Sequence, residues 1–168
     1  MSSARKLMTV LGLILALGAP ALTFADTNWT AHGATGSLDE SNIDPNDFTK
    51  STGGLARLST FTGTLIAYWT VENVDAPNTP TWDTLSLLNY DNSTSDTIRA
   101  YLYRMDRTTG NVNLVSYVSS TNSSSTKYDT ATFTHSWDFD RYTYFIYAYI
   151  SGSDTSAQPI IRALTVRD

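Results

Sequence analysis

The stretch Tyr142-Thr-Tyr-Phe-Ile-Tyr-Ala-Tyr-Ile150, "YTYFIYAYI" (142–150), decides how this chain is read. Taken two residues at a time it separates into Tyr142, Tyr144, Ile146, Ala148 and Ile150 on one side and Thr143, Phe145, Tyr147 and Tyr149 on the other. Side chains alternate across a strand, so a period of two with an aliphatic side describes a β-strand with one face in a core. The wider segment "WDFDRYTYFIYAYI" (137–150) holds seven aromatic residues in fourteen positions, against 12% aromatic content in the whole chain. Whether those rings form a binding face or the inside of a fold is the question the rest of the sequence frames.

The same period recurs on either side. "TLIAYWTV" (64–71) sets Leu65, Ala67, Trp69 and Val71 against Thr64, Ile66, Tyr68 and Thr70. "TIRAYLYRM" (97–105) sets Ile98, Ala100 and Leu102 against Arg99, Tyr101, Tyr103 and Met105. It leads through "DRTTGN" (106–111), a hairpin turn with Gly110 supplying positive φ, into "VNLVSYV" (112–118). Further strands are expected at "GGLARLSTF" (53–61), "TWDTLSLLNY" (81–90), "ATFTHSW" (131–137) and "PIIRALTV" (159–166), with one more near "NWTAHGAT" (28–35). "SLDESNIDPNDFTKST" (37–52) reads as a long excursion, and "SSTNSSSTKYD" (119–129) as a polar, mobile loop. No helical period competes. These runs predict an all-β fold, an antiparallel two-sheet sandwich of jelly-roll type with about eight strands.

The first 25 residues, "MSSARKLMTVLGLILALGAPALTFA", have the three-part layout of a secretory signal: Arg5 and Lys6, an apolar run from Leu7 to Ala19, then small residues up to Ala25. Cleavage after Ala25 is expected, which places the mature chain in the periplasm or outside the cell. An uncleaved anchor is the alternative, since Leu7 to Phe24 almost reaches the length of a membrane span. Residues 26–168 are then a single domain, with no later segment apolar enough to span. Of 11 Lys and Arg, Arg5 and Lys6 belong to the leader, so nine face 16 Asp and Glu, a net of −7. That balance repels phosphate backbones and argues against a nucleic-acid partner. The absence of cysteine removes disulfides, thiolate catalysis and Cys-ligated zinc. It also points to a bacterial exporter and makes the three Asn-x-Ser/Thr matches, at Asn28, Asn92 and Asn122, read as accidents.

In layout, the order "ATGSLDESN" (34–42), "FTGTLIAYWTV" (61–71), "LYRMDRTTGNV" (102–112) and "WDFDRYTYFIYAYI" (137–150), closed by a short apolar strand, resembles a loose group of exported bacterial single-domain β-sandwich proteins. The resemblance implies the fold and export. That group carries no assigned activity, so the resemblance implies no chemistry.

Several constellations bear on function. His32 and His135 are the two histidines, far apart and outside any HxH or HExxH spacing, and no Gly-x-Ser-x-Gly elbow is present, so a hydrolase is the weakest of three readings. Asp138 and Asp140 flank Phe139 and in an extended chain lie roughly 6 to 7 Å apart, a spacing that glycosidase pairs also use, although "DFDRY" is equally a good turn. "DPND" (Asp44, Asn46, Asp47) and "DNSTSD" (Asp91, Asn92, Asp96) offer hard oxygen ligands for a structural calcium ion, the one cofactor the sequence suggests. If the aliphatic faces line the core, Tyr68, Tyr101, Tyr103, Tyr147 and Tyr149 share the outward side of their sheets, with Arg99 beside them. Three roles are open to that set: a tyrosine ladder that only stabilises an exposed sheet, a platform for sugar rings, and a self-association or envelope-protein interface. Trp82, beside "APNTPT", is a further candidate ligand residue and equally a plug at the core edge. Non-enzymatic binding or structural association at the cell surface is the leading expectation, with a glycan-binding module as its alternative.

Overall fold

The computed structural model describes residues 27–39 and 44–168; the leader and Glu40 therefore lie outside the described residues. Eleven strands follow in order: β1 (Trp29–His32), β2 (Ser37–Leu38), β3 (Phe48–Ser51), β4 (Gly54–Arg57), β5 (Gly63–Val71), β6 (Thr84–Asp91), β7 (Thr97–Asp106), β8 (Val112–Ser119), β9 (Ser123–Thr132), β10 (Tyr142–Gly152) and β11 (Ile160–Arg167). They form two antiparallel sheets. One has the order β3-β4-β11-β6-β9, with β1 also paired to β11; the other has the order β2-β5-β10-β7-β8. Among the described residues no helix is long and apolar enough to cross a membrane.

The all-β, two-sheet expectation holds, and its strand count of about eight is corrected to eleven. Two of the added strands, β2 and β3, are short pieces inside the stretch read as an excursion. The third is a larger correction: the supposed mobile loop at 119–129 supplies most of β9, which pairs with β6 from Thr84↔Thr132 to Asp91↔Ser123. Its Ser and Thr hydroxyls are tolerated because β9 is an edge strand with most of its side chains in water. Conversely, "ATFTHSW" is strand only at Ala131 and Thr132 and then leaves the sheet.

The inward residues follow from alternation. On β5, Leu65, Ala67, Trp69 and Val71 are buried, and on β10, Tyr144, Ile146, Ala148 and Ile150 are fully buried. With Ile98, Ala100 and Leu102 they meet Leu55, Leu85, Leu87, Ile161, Leu164 and Val166 of the facing sheet in one continuous core. Burying a Leu or Ile side chain stabilises by about 1.5–3 kcal/mol, which is why this pattern outweighs local propensity.

One end of the sandwich is closed by an aromatic plug. Trp82 and Trp137 meet edge to face at 5.3 Å, Trp137 lies 4.6 Å from the Tyr144 ring, and Phe139 lies 4.8 Å from the same ring. Each buried indole N–H finds a backbone acceptor: Trp137 donates to the Trp82 carbonyl at 2.9 Å and Trp82 to the Thr27 carbonyl at 3.1 Å. Trp82 is 0% exposed, which corrects its candidacy as a ligand residue. It is core.

Elsewhere, among the described residues, the core holds a fully buried ion pair. Arg57 on β4 and Asp96, just before β7, are both fully buried with Nη2 and Oδ2 2.5 Å apart. The guanidinium also donates to the carbonyls of Phe61 and Asp154, and the other Asp96 oxygen accepts the Asp154 N–H at 3.2 Å. Gly152 (φ +157°) packs so close that a Cβ there would lie 1.6 Å from that carboxylate. The pair thus ties β4, the turn before β7 and the turn after β10 together. Removing one charge strands the other in a dry site, whereas replacing both by apolar groups does not. Asp96→Ala is expected to cost about 3–5 kcal/mol in urea unfolding, and the double change Arg57→Met/Asp96→Leu to cost less than that single one.

The β7–β8 hairpin forms as its sequence suggests, with Gly110 at φ +73° and its N–H donating to the Asp106 carbonyl at 2.8 Å. The Asp106 carboxylate accepts the N–H groups of Thr108 and Thr109 and the Arg141 Nε–H. The Thr109 N–H, then the Thr108 N–H and Arg141, hold its carboxyl below the ordinary aspartate range. A lowered folded value contributes stability at neutral pH that is lost as pH falls through it. Asp106→Asn should therefore flatten the acid limb of a stability-versus-pH curve measured by circular dichroism.

Candidate ligand-binding face

The outward side of the second sheet carries the tyrosines. Its registers place Ser37, Tyr68, Tyr147, Tyr101 and Tyr117 in one row across β2, β5, β10, β7 and β8. Thr70, Phe145, Tyr103 and Leu114 form the row on one side of it; Ile66, Tyr149, Arg99 and Ser119 form the row on the other. Directly behind the tyrosine row, one residue along each strand, lies an inward row of Ala67, Ala148 and Ala100. Five of the six face residues singled out by sequence are thus tyrosines on one surface, and Arg99 borders them.

Ring contacts bind the surface together. Tyr68 meets Tyr147 edge to face at 5.5 Å, Tyr147 lies 5.9 Å from Tyr101, and Tyr101 is offset-stacked on Tyr117 at 5.8 Å. Tyr101 also lies near parallel to Tyr103 at 6.1 Å and to Tyr149 at 6.1 Å, and Tyr103 to Phe145 at 5.6 Å. Such pairs contribute about 0.5–1.5 kcal/mol each beyond area burial, so the face is rigid as well as apolar. Exposure is graded: Tyr68 (38%) and Tyr117 (55%) stand out at the two ends of the row, and the rings between them are half-buried.

Electrostatics keep the face neutral with one positive corner. Burial first, then its bond with Tyr101, raises the Tyr149 hydroxyl; burial and the neighbouring tyrosines raise Tyr147. The Tyr101 and Tyr149 hydroxyls hold the Arg99 proton more firmly than usual. Arg99 is nonetheless exposed and free to meet a ligand.

Tyr117 is the member that sequence reading does not place on this face, whereas Phe145 is set outward with Tyr147 and Tyr149 by alternation and needs only the neighbouring strands to join the set. Tyr117 pairs with Tyr101 in regular register, and the irregularity in β8 lies just beyond it, where Leu102 pairs with Ser116 but the next residue, Tyr103, pairs with Leu114. One extra residue flips every side chain beyond it. Leu114 and Val112, each 51% exposed, consequently point outward beside Tyr117.

The other sequence candidates are engaged in the fold. Asp44 and Asp47 cap a turn of 3-10 helix over Pro45–Asp47, each carboxylate accepting a backbone N–H. Asp91 accepts from the Ser93 N–H and, at 2.5 Å, from the Ser120 hydroxyl; Asp96 holds Arg57. Among the described residues no group of three or more His, Asp or Glu converges as a metal site. Asn46 donates to Asp44 at 2.7 Å. His32 caps a turn through the Ala34 N–H and contacts the Thr52 carbonyl, and His135 lies 3.0 Å from the Tyr144 hydroxyl, so neither partner is a serine or carboxylate. Burial, then Arg104, lowers His135 and keeps it neutral. Asp138 accepts the Arg141 N–H at 2.9 Å, which is the turn role. A pocket of about 640 Å³ lies beside Asp138, Asp140 and Tyr142, where Asn73 donates to the Asn78 carbonyl and Tyr142 lies under both Arg104 and Arg141.

No protein-family model matches the chain, and no curated protein matches it. Among solved structures it is similar to TmCBM61 in complex with beta-1,4-galactotriose (TM-score 0.42, 10% identity, covering 84% of this chain and 88% of that one). It is likewise similar to a family 11 carbohydrate-binding module from Clostridium thermocellum in complex with a beta-1,3-1,4-mixed-linked tetrasaccharide (TM-score 0.42, 12% identity, covering 90% and 93%).

Proposed function

We propose that this is an exported, non-catalytic binding module that takes a polysaccharide chain on its tyrosine face. One observation carries the reading: the outward face of the second sheet is a continuous cluster of seven aromatic rings, Tyr68, Tyr101, Tyr103, Tyr117, Phe145, Tyr147 and Tyr149. The row from Tyr68 to Tyr117 crosses four strands, about 14 Å, long enough for several sugar units. Sugar rings offer apolar C–H faces to aromatic carbons, and their hydroxyls meet the tyrosine hydroxyls, Ser37 and Arg99. Because the rings already support one another, little side-chain entropy is lost on binding. Cleavage after Ala25 releases the domain to the periplasm or the exterior. The facing orders β4-β11-β6-β9 and β5-β10-β7-β8 support a jelly-roll connectivity for the eight longest-paired strands.

A second copy of the chain, or another envelope protein, is the second reading. Val112 and Leu114 favour it, since aliphatic side chains half exposed beside Tyr117 suit a protein surface better than a sugar. Light scattering separates the two: a mass rising with concentration supports association, and a monomer with polysaccharide affinity supports the module.

The exported protein, run by affinity electrophoresis against a panel of neutral and acidic polysaccharides, should be retarded by at least one; retardation by none would end the proposal. EDTA in a parallel gel reads the calcium expectation, as a melting-temperature drop does. Tyr117→Ala, which removes an exposed ring stacked on Tyr101, should weaken binding about tenfold with little change in melting temperature. Intact mass of the exported protein should begin at Asp26. Raised Tyr147 and Tyr149 values mean that the neutral face is favoured below the ordinary tyrosine range near ~10 and lost as pH rises through the folded values. Binding should accordingly be flat from neutral pH to mildly alkaline conditions and fall beyond, with ultraviolet titration showing delayed tyrosine ionisation.

A further inference from the structure

A cleft of about 470 Å³ opens at the edge of the tyrosine face. It lies where β2 is short: β2 pairs with β5 at Ser37↔Tyr68 and Leu38↔Ala67, and the pairing does not extend along β5 beyond Tyr68 towards Val71. The neighbouring β1 belongs to the other sheet, through β11. Trp29 and Trp69 wall the gap, the latter fixed by its indole N–H donating to the His32 carbonyl at 3.3 Å. Tyr68 and Phe145 line both the cleft and the face, so the ring surface continues into it without a break.

Among the described residues, Glu72 is the one charged side chain lining this cleft, and it is exposed there with Ser37, Tyr68 and Thr70 also on the lining. Glu72 follows Val71, whose partner on β10 is Tyr144, whereas Arg99 pairs with Tyr149. The two charges therefore sit at opposite ends of the face, about 20 Å apart along the strands. A chain lying on the rings meets a guanidinium at one end and a carboxylate at the other.

We propose that the Glu72 cleft is the specificity subsite of the tyrosine face: it seats the next sugar of a bound chain, accepts hydrogen bonds from its hydroxyl or amino groups, and turns away sugars bearing carboxylate. This inference rests on the polysaccharide reading. A carboxylate accepts from neighbouring sugar hydroxyls by charge-assisted bonds and gains further from an ammonium group. Facing a uronate it leaves two like charges at close range, which is the element of rejection that specificity requires.

The test uses the exported protein with three probes: the neutral polysaccharide it binds best, a chitosan oligomer and polygalacturonate, at fixed ionic strength. The native protein should bind the first two at least about tenfold more tightly than the third. Glu72→Gln should weaken the neutral and amino ligands about tenfold and shrink the gap to polygalacturonate. Asp83→Asn, the same charge change at an exposed position at the start of β6, should move neither, and Tyr117→Ala should weaken all three alike. Binding that persists with an unaltered preference in Glu72→Gln overturns this subsite while leaving the polysaccharide reading in place. Failure of the native protein to bind any of the probes overturns both.

Discussion

The strand β10 lies between β5 and β7, and the period of two along it settles both sides of the sheet at once. Its Tyr144, Ile146, Ala148 and Ile150 are fully buried, so Phe145, Tyr147 and Tyr149 have no choice but to face outward. A slip of one residue would put the aliphatic set in water and three rings into a core sized for Ile and Ala. The hydrophobic effect on one face thereby orders an aromatic surface on the other. That coupling is why a core-facing constraint and an aromatic outer surface occupy the same nine residues.

The rest of the molecule keeps that arrangement in register. At one end the sheets are closed by Trp82, Trp137, Phe139 and Tyr144, with each indole N–H satisfied by a backbone carbonyl. Elsewhere the buried Arg57–Asp96 pair joins β4 to the turns flanking β7 and β10. An apolar plug tolerates small shifts of its rings, whereas a dry ion pair does not, because each charge depends on the other at hydrogen-bond distance. The pair therefore specifies one relative placement of the strands that carry Tyr101 and Tyr147.

The tyrosine surface is built for rigidity more than depth. The rings touch one another, and burial delays the ionisation of Tyr147 and Tyr149. In the pocket near Asp138 and Tyr142, Asp138 accepts the Arg141 N–H and the Arg141 guanidinium lies over the Tyr142 ring. Exposed and half-buried rings held by their neighbours lie instead along the tyrosine row, with the exposed Arg99 beside them and a cleft at the short β2.

Alternation alone determined that Leu65, Ala67, Trp69, Ile98, Ala100, Leu102, Ile146 and Ala148 go inward, and hence that Tyr68, Tyr101, Tyr103, Tyr147 and Tyr149 share outward faces. These signals are local, one strand at a time, and a run of residues carries them whole. Only the tertiary structure decided that the three strands are neighbours, that their tyrosines fall in one row with Tyr117 of β8, and that an irregularity in β8 turns Leu114 and Val112 outward beside them. It also drew the serine-rich stretch into β9, where partner pairing outweighs weak propensity, and buried Trp82 completely. Pairing order and register depend on contacts between residues far apart in the chain, and no periodicity within a single strand encodes them.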